Sequence, residues 1–171
     1  MDIKQRLFLS YFVYAFFCVI VVTSLFNIGH LSVLYKYNNV RSIAIHELHL
    51  LVHENEQGQG YLKDIDRIEE KVLLIREESN KCLDTITPYY KSLLRVMSIY
   101  GIYEICQLDL TTTNQLLAYL KMHRQDELNA DALYMQLMQA SDDLMDNARD
   151  FILPVDQAIR FLLVMMASLI I

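Results

Sequence analysis

The chain has few of the residues that interrupt helices or shape turns. Its 171 residues include two Pro, four Gly and no Trp. Folds rich in β-strands need frequent Gly and Pro in their turns, so this scarcity argues against a β-sandwich or barrel. The three Cys show no C-x-x-C spacing, which excludes a zinc ribbon. The composition therefore predicts an all-α fold.

Basic residues are also scarce. Against 15 Lys and Arg stand 21 Asp and Glu, for a net charge of −6. Only one of the acids but three of the bases lie outside residues 30–157, so this middle region carries −8. An acidic domain of this kind argues against nucleic-acid binding and against tight docking on anionic lipid. Small ligands and cations remain compatible with it.

Motifs for catalysis are missing. The chain has no G-x-S-x-G, no P-loop, no Gly-rich dinucleotide turn and no H-E-x-x-H. The stretch His46-Glu47-Leu48-His49 is one residue short of the last of these. We expect no enzymatic activity and no cofactor in this chain.

One long uncharged stretch is present, and it organises the rest. Residues 7–28 contain 22 residues without a charge, and about 20 apolar residues span a bilayer. A cleaved signal peptide has a shorter apolar region and a small-residue cleavage site, so a retained anchor is the better interpretation. Lys4 and Arg6 precede the stretch, which favours a cytoplasmic N-terminus.

A second apolar stretch, residues 161–171, is about half a span long. We expect it to be the beginning of a second transmembrane helix, with any output domain beyond residue 171; an interfacial amphipathic anchor is the alternative. The predicted organisation is a short cytoplasmic N-terminus (1–6), a transmembrane helix (7–28), an extracytoplasmic domain (29–157) and the truncated second span (158–171).

Breakers and hydrophobic periodicity divide the extracytoplasmic region into four segments. Helix 1 should continue from the membrane to about His53, and helix 2 should run from Tyr61 to the Thr87-Pro88 boundary after a turn at Gly58–Gly60. Helix 3 should begin at Tyr89 and run away from the membrane. It should break at 108–114, where Thr or Asp could cap a shorter helix to Arg124. Helix 4 should start near 126–131 and pass Pro154 into the second span. The expected fold is an antiparallel four-helix bundle with helices 1 and 4 continuous with the spans.

This arrangement resembles the sensor half of bacterial membrane receptors, namely sensor histidine kinases with helical periplasmic domains and methyl-accepting chemotaxis receptors. The resemblance covers the whole chain and rests on architecture rather than on a motif. It implies a homodimeric input module of a two-component system in the bacterial inner membrane, which detects a periplasmic small ligand, ion or protein and transmits it by helix displacement. The alternative is a two-pass membrane scaffold whose bundle binds a partner protein.

Arg41 is the candidate ligand contact. It falls on the apolar stripe of helix 1, so its guanidinium points into the bundle or a dimer seam, where its donors suit an anion or an internal carboxylate. Ser42 adjoins it, and the helical rise places Asp142 and Asp146 of helix 4 at its height. These four residues are the predicted ligand-binding set. The structural alternative is an internal salt bridge, with Asp142 or Asp146 as the carboxylate partner of Arg41.

The candidate metal ligands are His46, His49 and His53, at i, i+3 and i+7 on one face of helix 1. Neutral imidazole binds zinc, copper or nickel, and clustered His also titrates near neutral pH. A plain solvated face is the alternative. The acidic run of Asp142, Asp143, Asp146 and Asp150 likewise forms either a divalent-cation site or a solvated face. Cys82 and Cys106 form a disulfide only if they meet on adjacent helices; otherwise they are buried thiols.

Overall fold

A computed structural model describes residues 3–54, 64–86 and 100–168. These residues are almost entirely helical and include no strand. Four helices follow one another along the chain: α1 (Ile3–Glu54), α2 (Ile65–Thr85), α3 (Tyr100–Arg124) and α4 (Ala130–Ser168). The all-α prediction is confirmed. The predicted turn at Gly58–Gly60 and the Thr87-Pro88 boundary lie outside the described residues.

Helix α1 is 52 residues long and runs without interruption from the apolar stretch into the packed core. No Pro occurs within it, and Gly29 is its single Gly, so nothing in the sequence stops the helix before residue 54. The prediction of one continuous helix to about His53 is confirmed.

Helix α3 corrects the sequence prediction. It continues through residues 108–114, where a break and a new N-cap were expected. The hydroxyls of Thr111 and Thr113 donate to the carbonyl oxygens of Gln107 (3.0 Å) and Asp109 (2.7 Å), four residues earlier. Bonds of this kind let Thr stay within a helix instead of capping one.

Helix α4 begins close to the predicted position. The Asn129 side-chain oxygen accepts the backbone N–H of Ala132 at 2.7 Å, which is the usual N-cap bond. The turn before it places Asp126 at φ 58°, in the left-handed region that Asp tolerates better than most residues. The backbone remains helical through Pro154 to Ser168.

Each helix packs mainly against two others: α1 against α2 and α4, and α3 against the same two. The buried apolar side chains form two clusters, each with members from all four helices. The near cluster, closest along α1 to the apolar stretch, contains Leu31, Leu34, Cys82, Ile86, Ile102, Cys106, Phe151 and Val155. The far cluster is centred on Ile45, Leu48, Val72, Ile75, Leu116, Leu133 and Leu144.

Within the described residues, one helix is long and apolar enough to cross a membrane, and it is α1. Large apolar side chains of its first part, including Leu7, Phe8 and Phe12, are exposed on the surface of the molecule. An apolar surface this continuous is typical of a membrane-facing or partner-facing segment.

Candidate functional site

A layer of polar side chains separates the two apolar clusters. All four helices contribute to it: Asn38 and Arg41 from α1, Ser79 from α2, Asp109 and Thr113 from α3, and Asn147 from α4. We call this set the polar layer. All of its members except the partly exposed Asn147 are buried. Burying charged and polar groups costs free energy unless they are paired, so the contacts within the layer determine its stability.

Arg41 and Asp109 form a buried ion pair at the centre of the layer. The Nε atom of Arg41 lies 2.7 Å from Oδ2 of Asp109, and both side chains are almost completely enclosed. Arg41 Nη1 donates to the side-chain oxygen of Asn38 at 2.9 Å. The guanidinium carbon also lies 4.9 Å from the ring centroid of Phe151, within range of a cation–π contact.

Asp109 joins α1 to α4. Its Oδ1 accepts a hydrogen bond from the Asn147 side-chain amide at 2.9 Å, while its Oδ2 faces Arg41. Burial raises the pKa of Asp109, and Arg41, Asn147 and the neighbouring Ser79 hydroxyl oppose that rise. Both oxygens of one carboxylate are therefore used to hold two other helices.

The sequence correctly places Arg41 on the buried face of helix 1, but the predicted carboxylate partners are wrong. Asp109 of α3 pairs with Arg41. Asp146 is exposed and faces Arg149 at 3.5 Å, and Asp142 faces His49. At the level of Arg41, α4 presents Asn147 and Phe151 instead. Asn147 directly follows Asp146, so helical rise gave nearly the right height but not the face of α4 that meets the core.

Ser42 belongs to a different surface from Arg41. Its side chain lines a groove between α1 and α4 together with His46, Met145 and Arg149, and Arg41 is not among the lining residues. The four predicted ligand-binding residues thus do not form one site in this structure. Arg41 is part of the core, Ser42 faces the groove, and Asp142 and Asp146 are exposed.

A second polar group lies on the far side of the layer, where α1 meets α4. His49, His53 and Asp142 each offer one ligand atom, and these atoms lie within 4.8 Å of one another. His49 Nδ1 is 3.4 Å from Asp142 Oδ1, and the two imidazole rings are 3.9 Å apart at an angle of 34°. We call these three residues the His–His–Asp group.

The group contains two of the three predicted metal ligands and replaces the third. His46 is exposed and lies outside the group, while Asp142, predicted as a partner of Arg41, belongs to it. Burial lowers the pKa of His49, helped by the charges of His53 and His46 and opposed by that of Asp142. The His49 imidazole is therefore held toward its neutral form, which is the form that binds metal ions.

Cys82 of α2 and Cys106 of α3 meet in the near cluster, directly beneath the polar layer. Both are buried, and their Sγ atoms lie 2.8 Å apart. The shared sulfur contact and burial raise the pKa of Cys106. Both residues are free thiols in this structure, and they satisfy the condition of adjacent helices that the sequence left open.

Sequence reasoning missed Asp109 and Asn147. A signal for Asp109 was present, because it falls on the buried stripe of α3 with Ile102, Cys106, Thr113, Leu116 and Leu120. An acid on such a stripe requires a buried partner. Instead, its position before three Thr residues made it look like a helix cap.

We compared the chain with protein-family models, with curated proteins and with solved structures. None of these comparisons finds a match.

Proposed function

We propose that this chain is the signal-sensing input module of a bacterial transmembrane receptor, of the two-component sensor histidine kinase type. In this proposal an antiparallel four-helix bundle lies outside the inner membrane, residues 1–6 are cytoplasmic, and α1 and α4 continue into the two spans. The module works as a homodimer. The observation that carries the proposal is the polar layer, in which one carboxylate holds both α1 and α4.

The layer gives the two helices a defined register. The packed apolar side chains already resist sliding, and the layer adds directional contacts, because Arg41 and Asn147 each need an oxygen of Asp109 at hydrogen-bonding distance. A shift of α4 along α1 breaks one of these contacts and leaves a buried polar group unpaired, which costs about 1–3 kcal/mol. Such a layer favours discrete packings over gradual sliding.

Discrete packings are what a helical input module requires. A ligand that binds one packing more tightly shifts the population toward it. Because α1 is a single helix from the apolar stretch to Glu54, a change of register beside Arg41 is carried along a rigid rod toward residues 7–28.

The test measures the register of α4 against α1 in the full chain, reconstituted in lipid nanodiscs. Spin labels at Leu50 of α1 and Leu163 of α4, both exposed, report sliding of one helix along the other through their distance distribution. The labels are attached by chemistry that does not use cysteine, so the native thiols stay unmodified. Asn147→Ala removes the contact of α4 with Asp109 and keeps the Arg41 ion pair.

We expect Asn147→Ala to add a second distance population displaced by at least about 1–2 Å, the scale of helix shifts in switching proteins. The matched control is Asp150→Asn, one turn further along α4 on an exposed residue, which should leave the distribution unchanged. A single, unshifted population in Asn147→Ala would contradict the proposal and favour the scaffold alternative.

A further inference from the structure

We propose that the His–His–Asp group is a binding site for a first-row transition-metal ion, Zn²⁺, Ni²⁺ or Cu²⁺, that joins α1 to α4. The site itself stands on its own geometry. Its role as the signal that the module detects rests on the proposed function.

The donor atoms have the right chemistry. Imidazole nitrogen with one carboxylate oxygen is a common ligand set for zinc and also suits copper and nickel. His49 and His53 are four residues apart on one helix, so successive turns bring their rings to the same face. Asp142 approaches this pair from the other helix.

One imidazole is already oriented as metal ligands usually are. His53 Nδ1 lies 3.1 Å from the backbone oxygen of His49. When Nδ1 donates its proton to that carbonyl, the lone pair is on Nε2. Metal-binding His residues typically donate the other ring N–H to a carbonyl or carboxylate in this way, which fixes the tautomer and the ring direction.

The second imidazole, that of His49, has a buried nitrogen without a hydrogen-bond partner in the described part of the chain. Its Nδ1 is shielded from solvent and lacks a hydrogen-bond partner among the described residues, although Asp142 Oδ1 is only 3.4 Å away. Two ligand atoms about 2.0–2.1 Å from a tetrahedral zinc ion are themselves about 3.4 Å apart. The separation therefore equals the edge of a zinc coordination tetrahedron, and a cation between the two atoms would satisfy both.

Three protein ligands leave one coordination position for water. Structural zinc sites usually have four protein ligands, so we expect a readily exchanged ion rather than a permanent one. The site bridges the same two helices as Asp109, but on the far side of the polar layer. Binding therefore pulls α4 toward α1 beyond the layer and can favour one register over another.

The test is a metal titration of the full chain in detergent micelles, stripped with EDTA and then exchanged into chelator-free buffer. Isothermal titration with ZnCl₂ should show one saturable site per chain, and NiCl₂ should compete for it. His49→Ala and His53→Ala should each weaken zinc binding at least tenfold, and Asp142→Asn should weaken it measurably.

Two matched controls lie beside the ligands. His46→Ala removes an imidazole of the same helix that is outside the group, and Asp143→Asn removes the adjacent exposed acid of α4. Both should retain wild-type affinity. Circular dichroism verifies the fold of each variant, and because Asp142 is 57% exposed, Asp142→Asn remains informative if a His variant unfolds.

Absence of saturable binding of zinc, nickel or copper would overturn the site. An equal loss of zinc affinity in His46→Ala and His49→Ala would overturn it as well. These outcomes leave the proposed function standing, because another ligand could act on the same register. Conversely, zinc that binds at the group without changing the Leu50–Leu163 distance distribution would establish the site and remove its signalling role.

Discussion

At Arg41, a guanidinium group is enclosed by the core. Removing one ion from water costs several kcal/mol even after relaxation. Asp109, Asn38 and the ring of Phe151 offset that cost with an ion pair, a hydrogen bond and a cation–π contact. Such a cluster contributes little net stability, but its members depend strongly on one another.

This dependence predicts the behaviour of Arg41 and Asp109 variants. Arg41→Met leaves the Asp109 carboxylate buried without its cation, and Asp109→Leu leaves the guanidinium alone; each should lower the free energy of unfolding by about 3–5 kcal/mol. The double variant removes both charges and should recover most of that loss. Chemical denaturation of the full chain in one detergent measures all three.

The control is Arg149→Met, since Arg149 is 79% exposed and its carboxylate partner is 3.5 Å away. That change should alter stability by no more than about 0.5 kcal/mol. If the Arg41 and Asp109 losses simply add in the double variant, the two residues are not coupled and the ion pair does not organise the layer.

At the scale of the helices, the sequence predicts most where local signals and packing agree. The lack of a helix breaker before residue 55 predicts the length of α1 to about His53. The N-cap of α4, Asn129, lies within the range 126–131 that was expected for the start of that helix. Both signals act within a few residues of the boundary. Local chemistry was therefore enough for these elements.

Helix α3 shows why local signals also fail. Asp109 followed by Thr111–Thr113 resembles an N-cap, and from sequence alone this pattern predicted a break. In the folded chain the Asp109 carboxylate binds Arg41, which is 68 residues away, and the Thr hydroxyls bond back to their own helix. The partner of a buried acid depends on tertiary packing, which a window of neighbouring residues does not contain.

The same limit applied to the candidate sites. Helical spacing correctly grouped His49 with His53, because both lie on one element. It could not select Asp142 over His46 as the third member, since that choice depends on how α4 lies against α1. Residues within a helix are predictable from its periodicity, whereas contacts between helices require their relative height to within one turn.

The contact between α2 and α3 at Cys82 and Cys106 predicts a disulfide bond under oxidising conditions. Exchange with oxidised glutathione converts the two thiols to one disulfide and reduces the glutathione disulfide to two thiols. Because the residues are buried and the pKa of Cys106 is raised, we expect the exchange to be slow in the folded chain and faster during refolding.

The bond should close a loop of about 25 residues and raise the stability of the chain by about 3–4 kcal/mol in the chain-entropy model. Mass spectrometry under non-reducing conditions detects it as the loss of two hydrogens. Cys18→Ser should still form the bond, and Cys106→Ser should not. Two free thiols after refolding with oxidised glutathione would show that the sulfur atoms do not meet in solution.

For the molecule as a whole, the exposed apolar side chains of α1 are the feature that most needs a covering surface. The side chains of Leu7, Phe8, Phe12 and Tyr14 are each between 58% and 74% exposed, and residues 7–28 carry no charge. Burying apolar surface is favourable by about 25 cal/mol per Å². A bilayer is thick enough to cover the full length of the stretch.

Thiol labelling of bacterial spheroplasts that express the chain tests whether α1 crosses the membrane and whether its N-terminus is cytoplasmic. One reagent is used, a membrane-impermeant maleimide added outside. Cys18 is exposed on the protein, so lipid alone should protect it, and it should react only after SDS treatment. In a Cys18→Ser background, His46→Cys should react directly, because residue 46 is exposed on the protein and the proposed orientation puts it outside the cell membrane. Lys4→Cys should react only after the membrane is permeabilised. Direct reaction of Cys18 would contradict a transmembrane α1, and protection of His46→Cys together with reaction of Lys4→Cys would reverse the proposed orientation.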